Sequence, residues 1–213
     1  MTILETLSHL WAWTPFLLEG FAWNILIAVL AIVWGTGIGC LLVWAQLSSR
    51  PWASRVSVIV SAGFFKIPTI ALMFYCTVLL PNEISIPGTD AVYPFANWAK
   101  AALALSAAQI GFTSLNLPIA VKFWQQNNRP AALLFLPGWG SNLLITIIAS
   151  SAASLVGVNE IVSRCNKVVN ASSNADLMLP MYFYVSLFFL LFCYPLTLAM
   201  KKLKQFLSNR LAS

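Results

Sequence analysis

The sequence predicts an all-α, polytopic membrane protein with five transmembrane helices, its N-terminus outside and its C-terminus in the cytoplasm. Three observations carry this. Of 213 residues, 60% are hydrophobic and 8% charged, against about 45–50% and about 25% in a soluble domain. Five runs are apolar for about 20 residues or more, enough to cross about 30 Å of hydrocarbon at 1.5 Å per residue. They are too long and continuous for the alternating strands of a β-barrel. The charges, finally, sort by side. A mean hydropathy of +0.82 excludes a soluble globule and a disordered chain. It also excludes a typical nucleic-acid binder despite the net charge of +6, so the expected partner is a lipid bilayer and no nucleic acid.

Residues 1–20 form an outside, interfacial segment. Residues 3–16 carry apolar side chains near helical spacing (Ile3, Leu7, Leu10, Trp11) and three aromatics, Trp11, Trp13 and Phe16. A helix lying in the interface and a first turn of the first span both fit. Residues 21–204 form one transmembrane domain, with spans at about 21–46, 56–80, 98–121, 131–158 and 177–200, and 205–213 a basic tail. The second span is interrupted at Lys66-Ile67-Pro68. The fourth is irregular, with Pro137-Gly138-Trp139-Gly140 early and small residues late. Gly35 and Gly39 in the first span are a small-xxx-small pair, which points to close helix packing.

The segments after spans one, three and five hold Arg50, Arg55, Lys122, Arg129, Lys201, Lys202, Lys204 and Arg210 and no acid. All six acids, Glu5, Glu19, Glu83, Asp90, Glu160 and Asp176, fall in the other set of segments, with Arg164 and Lys167, while Lys100 sits at a span edge. The positive-inside rule sets the orientation from this asymmetry.

Catalytic chemistry is missing from the pattern. There is no GxxxxGK[ST] phosphate loop, no HExxH, no intramembrane carboxylate pair, and a single histidine, His9, with no ligand cluster near it in sequence. The four cysteines (Cys40, Cys76, Cys165, Cys193) include no CxxC and read as small apolar fillers. No catalytic residue and no metal site is expected. A charge deep in a span is a functional candidate, and Lys66 is the one present; snorkelling to the cytoplasmic interface is the alternative. Gln109, Thr113 and Asn116 share a face by i, i+4, i+7 spacing, and Ser150, Ser151 and Ser154 make a similar face in span four. Such faces line a polar pathway or tie helices together.

In this order the features resemble the permease subunits of bacterial polar amino-acid ABC importers, from about Pro15 to Phe206. Phe16-Leu17-Leu18-Glu19-Gly20 is similar to the family's opening leucine-leucine-x-glycine. Phe64-Phe65-Lys66-Ile67-Pro68 stands where members carry Phe-Arg-Gly-Thr-Pro, one residue shorter and with Lys66 at the arginine. The run from Ser150 to Ile161 is similar to Thr-Ser-Leu-Ala-Ser-Val-Ile-Gly-Val-Pro-Glu-Leu. There are departures. Ile148 and Ala149 replace a Lys-acid pair, and the end of span three (112–118) lacks two family charges. The cytoplasmic loop lacks the glutamate and glycine of the Glu-Ala-Ala motif and is more than ten residues shorter.

The resemblance implies a bacterial cytoplasmic-membrane importer subunit for amino acids or similar small polar solutes. It implies a second permease chain, a separate ABC ATPase that alone binds ATP and Mg, and a periplasmic substrate-binding protein meeting the outer loops at 83–90 and 160–174. Candidate pathway residues are Lys66, Gln109, Thr113, Asn116, Ser150, Ser151 and Ser154. The ATPase-facing loop is Trp124, Gln125, Gln126, Asn127, Asn128, Arg129, Ala131 and Ala132. A degenerate, non-transporting homologue with a structural or regulatory role is the alternative, and an unrelated five-span protein a third.

Overall fold

The computed structural model describes residues 3–85, 92–172 and 175–212. The elements are α1 (Ile3–Gln46), α2 (Pro51–Lys66), α3 (Thr69–Leu79), strands β1 (Glu83–Ser85) and β2 (Val92–Pro94), α4 (Asn97–Gln125), α5 (Arg129–Leu133), α6 (Phe135–Ala149), a 3₁₀ segment (Ser150–Val156), α7 (Ile161–Ser172), a 3₁₀ turn (Ala175–Leu177) and α8 (Met178–Ala212). Among the described residues four helical stretches are long and apolar enough to cross a membrane, and α2 with α3, bent by 99° at its break, brings the number to five where the pair counts as one broken span and not as a re-entrant loop. Following the chain through them gives the molecule an acidic end, holding Glu19, Glu83, Glu160 and Asp176, and a basic end, where α1, α4 and α8 terminate.

The helices make the sequence reading specific at four places. The boundary at residue 20 is not a break: α1 is one 44-residue helix that includes Pro15, about 66 Å long. Its first turns pack on α7 and α8 through Leu10, Leu17 and Phe21. The interruption expected in the second span divides it into two helices that turn at Ile67-Pro68, because a proline disfavours helix at the residue before it and donates no amide. The small residues late in the fourth span wind as a 3₁₀ segment, which Gly157 ends at φ +82°. The tail at 205–213 is not separate, since α8 runs unbroken to Ala212.

The centre of the fold is α4, packed by α1, α2, α3, α5 and α6. Its first half is rich in alanine and buried from Ala99 through Ser114 except at a few positions, so neighbouring backbones come close. Gly35 and Gly39 of α1 face it. A Cβ at Gly35 would stand 2.6 Å from the Gln109 Cβ and 2.7 Å from the Ser106 carbonyl oxygen; one at Gly39 would stand 2.6 Å from the Thr113 Cβ. Around this contact lies a core cluster that includes Ile27, Ala31, Met73, Leu105 and Val156.

Gly37, between the two glycines, has open space where its Cβ would be. We therefore expect Gly35→Ala to cost about 1–3 kcal/mol by overpacking, and Gly37→Ala to be neutral or slightly stabilising through helix propensity. Thermal melts of the two variants in detergent check this; equal melts would mean that α1 and α4 are not in contact there.

Candidate functional site

Polar side chains gather at three levels along α1. At the acidic end, Asn24 is fully buried. Its Nδ2 donates to Ser150 Oγ (3.0 Å) and Glu160 Oε2 (2.9 Å), and its Oδ1 accepts from the Ile161 amide (3.1 Å). Glu160, also buried, caps α7 by accepting from the amides of Val162 (3.1 Å) and Ser163 (2.8 Å). This is the common way for a carboxylate to satisfy the free amides of a helix start. One turn on, Arg164 donates to both oxygens of Glu19 (2.6 and 2.7 Å) and to the Phe16 carbonyl (2.9 Å), with its guanidinium 4.7 Å from the Phe16 ring centroid. Gly20 permits the approach: a Cβ there would meet the Ile161 backbone at 2.8 Å. A cavity of about 420 Å³ opens beside this clamp, lined by Glu19, Trp23, Trp98, Asn159 and Arg164 among others.

Burial pushes the Glu160 carboxyl above its ordinary 4.5, against the pull of the Asn24, Ser163 and Val162 donors. Cys165, buried on the same helix, has its thiol pushed up to about 11, first by burial and then by the Glu160 charge. It stays protonated and packs as an apolar filler. Among the described residues there is no group of three or more metal-ligating side chains.

At the middle level, Gln109 and Thr113 are fully buried. Gln109 Nε2 donates to Thr36 Oγ1 and Thr113 Oγ1 (3.1 Å each) and its Oε1 accepts from Asn142 Nδ2. Trp139 Nε1 donates to Thr36 Oγ1 (2.9 Å). This network ties α1, α4 and α6. Towards the basic end, Gln46 Nε2 donates to Ser61 Oγ (3.0 Å) and the Ser114 carbonyl (3.1 Å).

The candidate pathway residues thus separate. Gln109 and Thr113 stand together inside the helix contact, and Ser150 belongs to the acidic-end clamp. Ser151 and Ser154, partly exposed, bond back to the carbonyls of Ile148 and Ser151, three residues earlier. Asn116 is exposed and bonds back to the Phe112 carbonyl. Lys66 is exposed at the α2–α3 bend.

The loop residues form a tight turn. The α4 helix runs on to Gln125, Asn127 takes φ +60°, a left-handed value asparagine tolerates, and the Asn128 side chain caps α5 through the Ala131 amide. Arg129 lies over the Trp124 ring at 5.7 Å. Trp124 through Arg129 are exposed, and Ala132 is buried.

Sequence reasoning missed Lys100 and α7. Lys100 is fully buried and donates to the Leu80 carbonyl (3.0 Å) and Asn82 Oδ1 (2.8 Å), which holds the end of α3 on α4. The helix α7 is too polar for a hydropathy window, yet Ile161, Cys165 and Val168 stand at i, i+4, i+7 on its buried face, a period legible in the sequence. Of the outer-loop residues expected to meet a binding protein, 86–90 and 173–174 lie outside the described residues.

No family model matches the chain, and no curated protein matches it by sequence. Solved structures do. A chain of an amino acid ABC transporter crystallised with histidines aligns with 96% of this chain and 99% of its own length, at TM-score 0.74 and 12% identity. A chain of a methionine ABC transporter in inward-facing conformations aligns over 97% and 99%, at TM-score 0.58 and 16% identity. The fold is thus, from end to end, that of ABC-transporter membrane chains.

Two outcomes follow for the clamp. Asn24→Leu leaves a buried carboxylate and the Ile161 amide without this partner and is expected to cost about 1–3 kcal/mol for each unsatisfied group, read as a lowered melting temperature. Because the folded pKa of Glu160 is raised, its contribution to stability is present below 4.5 and lost as pH rises through the folded value. On mild acidification Glu160 should therefore raise the melting temperature, against Glu19, whose carboxyl the Arg164 guanidinium holds below its ordinary value. Glu160→Gln should remove the Glu160 share, read as a melting temperature that falls more, or rises less, than in the parent over the same pH change.

Proposed function

We propose that this chain is a permease subunit of an ABC importer for amino acids or similar small polar solutes, working in the bacterial cytoplasmic membrane. The single observation that carries the reading is the end-to-end likeness to an amino acid ABC transporter chain at TM-score 0.74. The orientation follows from the charge asymmetry: basic end in the cytoplasm, acidic end facing the binding protein. A second permease chain completes the pathway, and the pair rocks between outward- and inward-open states. ATP and Mg are bound and used by a separate ATPase. Of the pathway candidates, Lys66, Asn116, Ser151 and Ser154 are the ones with surface left to offer a solute. Gln109, Thr113 and Ser150 support them by holding α1, α4 and the 3₁₀ segment in place.

One observation favours the second reading, a homologue that no longer transports. Where the resemblance calls for a docking helix, the chain has a tight turn and the five-residue α5. We take the first reading with asymmetric coupling, in which the partner permease carries the main ATPase contact and Trp124, Gln125, Gln126, Asn127, Asn128, Arg129, Ala131 and Ala132 form a minor one.

ATP-driven uptake in vesicles containing the co-expressed subunits tests this. Uptake should be lost without this chain, and Lys66→Ala should lower it several-fold at an unchanged amount of assembled complex. Uptake indifferent to deletion of the chain would establish the structural reading; indifference to Lys66→Ala alone would remove only that residue. A green fluorescent protein fused after Ser213 should fluoresce and a periplasm-dependent phosphatase fused there should not; the reverse would invert the topology.

A further inference from the structure

At the basic end, the start of α6 and the last turns of α8 enclose a cavity of about 480 Å³ lined by Pro137, Ser141, Thr197, Lys201 and Lys204 among others. It shares Thr197 and Lys201 with a second, longer groove of about 650 Å³ that runs along α8, flanked by Ile148 at the end of α6 and Ser151 and walled mainly by apolar side chains such as Phe183, Leu190 and Leu198. From Phe183 to Lys201 this groove follows α8 for about 27 Å, more than the roughly 15 Å of hydrocarbon that one leaflet holds. The two lysines stand at i, i+3 on one face of α8. No acidic residue follows Asp176 in the chain, so this end offers them no carboxylate from α8, and the segments beside it, at 47–66 and 122–134, have none either. Only 11% of the most apolar window of α8 is buried inside the chain.

A pair of cations at the mouth of an apolar trough matches an amphiphile with an anionic head and long tails. The geometry points to a binding site for an anionic phospholipid, its phosphate held by Lys201 and Lys204 beside Ser141 and one acyl chain laid along α8 past Ile148. Basic pockets between membrane helices hold such headgroups, each lysine adding to the attraction. The site requires that α6 and α8 lie in a bilayer, not that the chain transports, so it stands or falls separately from the importer reading.

Native mass spectrometry of the purified full-length protein, with any subunits that accompany it, tests the site. Dioleoyl-phosphatidylglycerol should bind on the order of 10- to 30-fold more tightly than dioleoyl-phosphatidylcholine. Lys201→Gln with Lys204→Gln should erase that preference, and the charge-matched pair Lys122→Gln with Lys202→Gln should keep it. Equal binding of the two lipids, or equal loss in both variant pairs, would overturn the site. Full displacement of phosphatidylglycerol by millimolar inorganic phosphate would overturn the lipid in favour of a free anion. Exclusion of lipid from the groove by a co-purified protein chain would overturn it as well.

Discussion

Every polar group this chain carries into the apolar slab must find its partner within the protein, because hydrocarbon offers none. The helix α1 answers that constraint at three levels. Asn24 binds the 3₁₀ segment and the start of α7, Thr36 binds α4 and α6, and Gln46 binds α2 and α4. Among the described residues no buried side-chain nitrogen or oxygen lacks a partner. Since lipid is as apolar as leucine, burial of leucine does not bring membrane helices together. Small residues and hydrogen bonds do that work. The alanine-rich half of α4 against Gly35 and Gly39 supplies the close contact, and the three polar ties fix its register.

The arrangement is unequal along the membrane normal. The acidic end is braced: Arg164 spans from α7 to Glu19 and the Phe16 carbonyl, Glu160 caps α7, and Lys100 holds the end of α3. The basic end has less to hold it, with an exposed turn at Gln125–Asn128 and a basic α8 tail. A subunit of this build suits the proposed asymmetric importer. In that proposal the acidic half is the fixed outer surface, and the basic half leaves the main contact with an energy source to a partner.

Much of this was legible in the sequence. The five apolar runs, the charge asymmetry, the break at Lys66–Pro68, the irregular fourth span and the Gly35/Gly39 contact all follow from local chemistry. What was not legible depends on distant partners. Gln109 and Thr113 share a face in either role, and only Gly35, Thr36 and Asn142 across from them decide that the face is packed. The size of the bend, 99°, is not legible from Pro68, which predicts a break and no angle. Continuity of α1 through Pro15 was open because a proline allows either outcome. Lys100 could be placed only at a span edge and Glu160 only in an outside segment, since the partners that bury them, Leu80, Asn82 and Asn24, are distant in sequence.

The central claim is that a chain with this fold and so short a turn at its basic end is still one half of a powered pathway. The most direct measurement is the composition and mass of the complex drawn gently from the membrane through a tag on this chain. The account predicts one copy of this chain with a second, different permease chain and an ABC ATPase. Recovery of the chain alone, or as a homodimer without an ATPase, would contradict it.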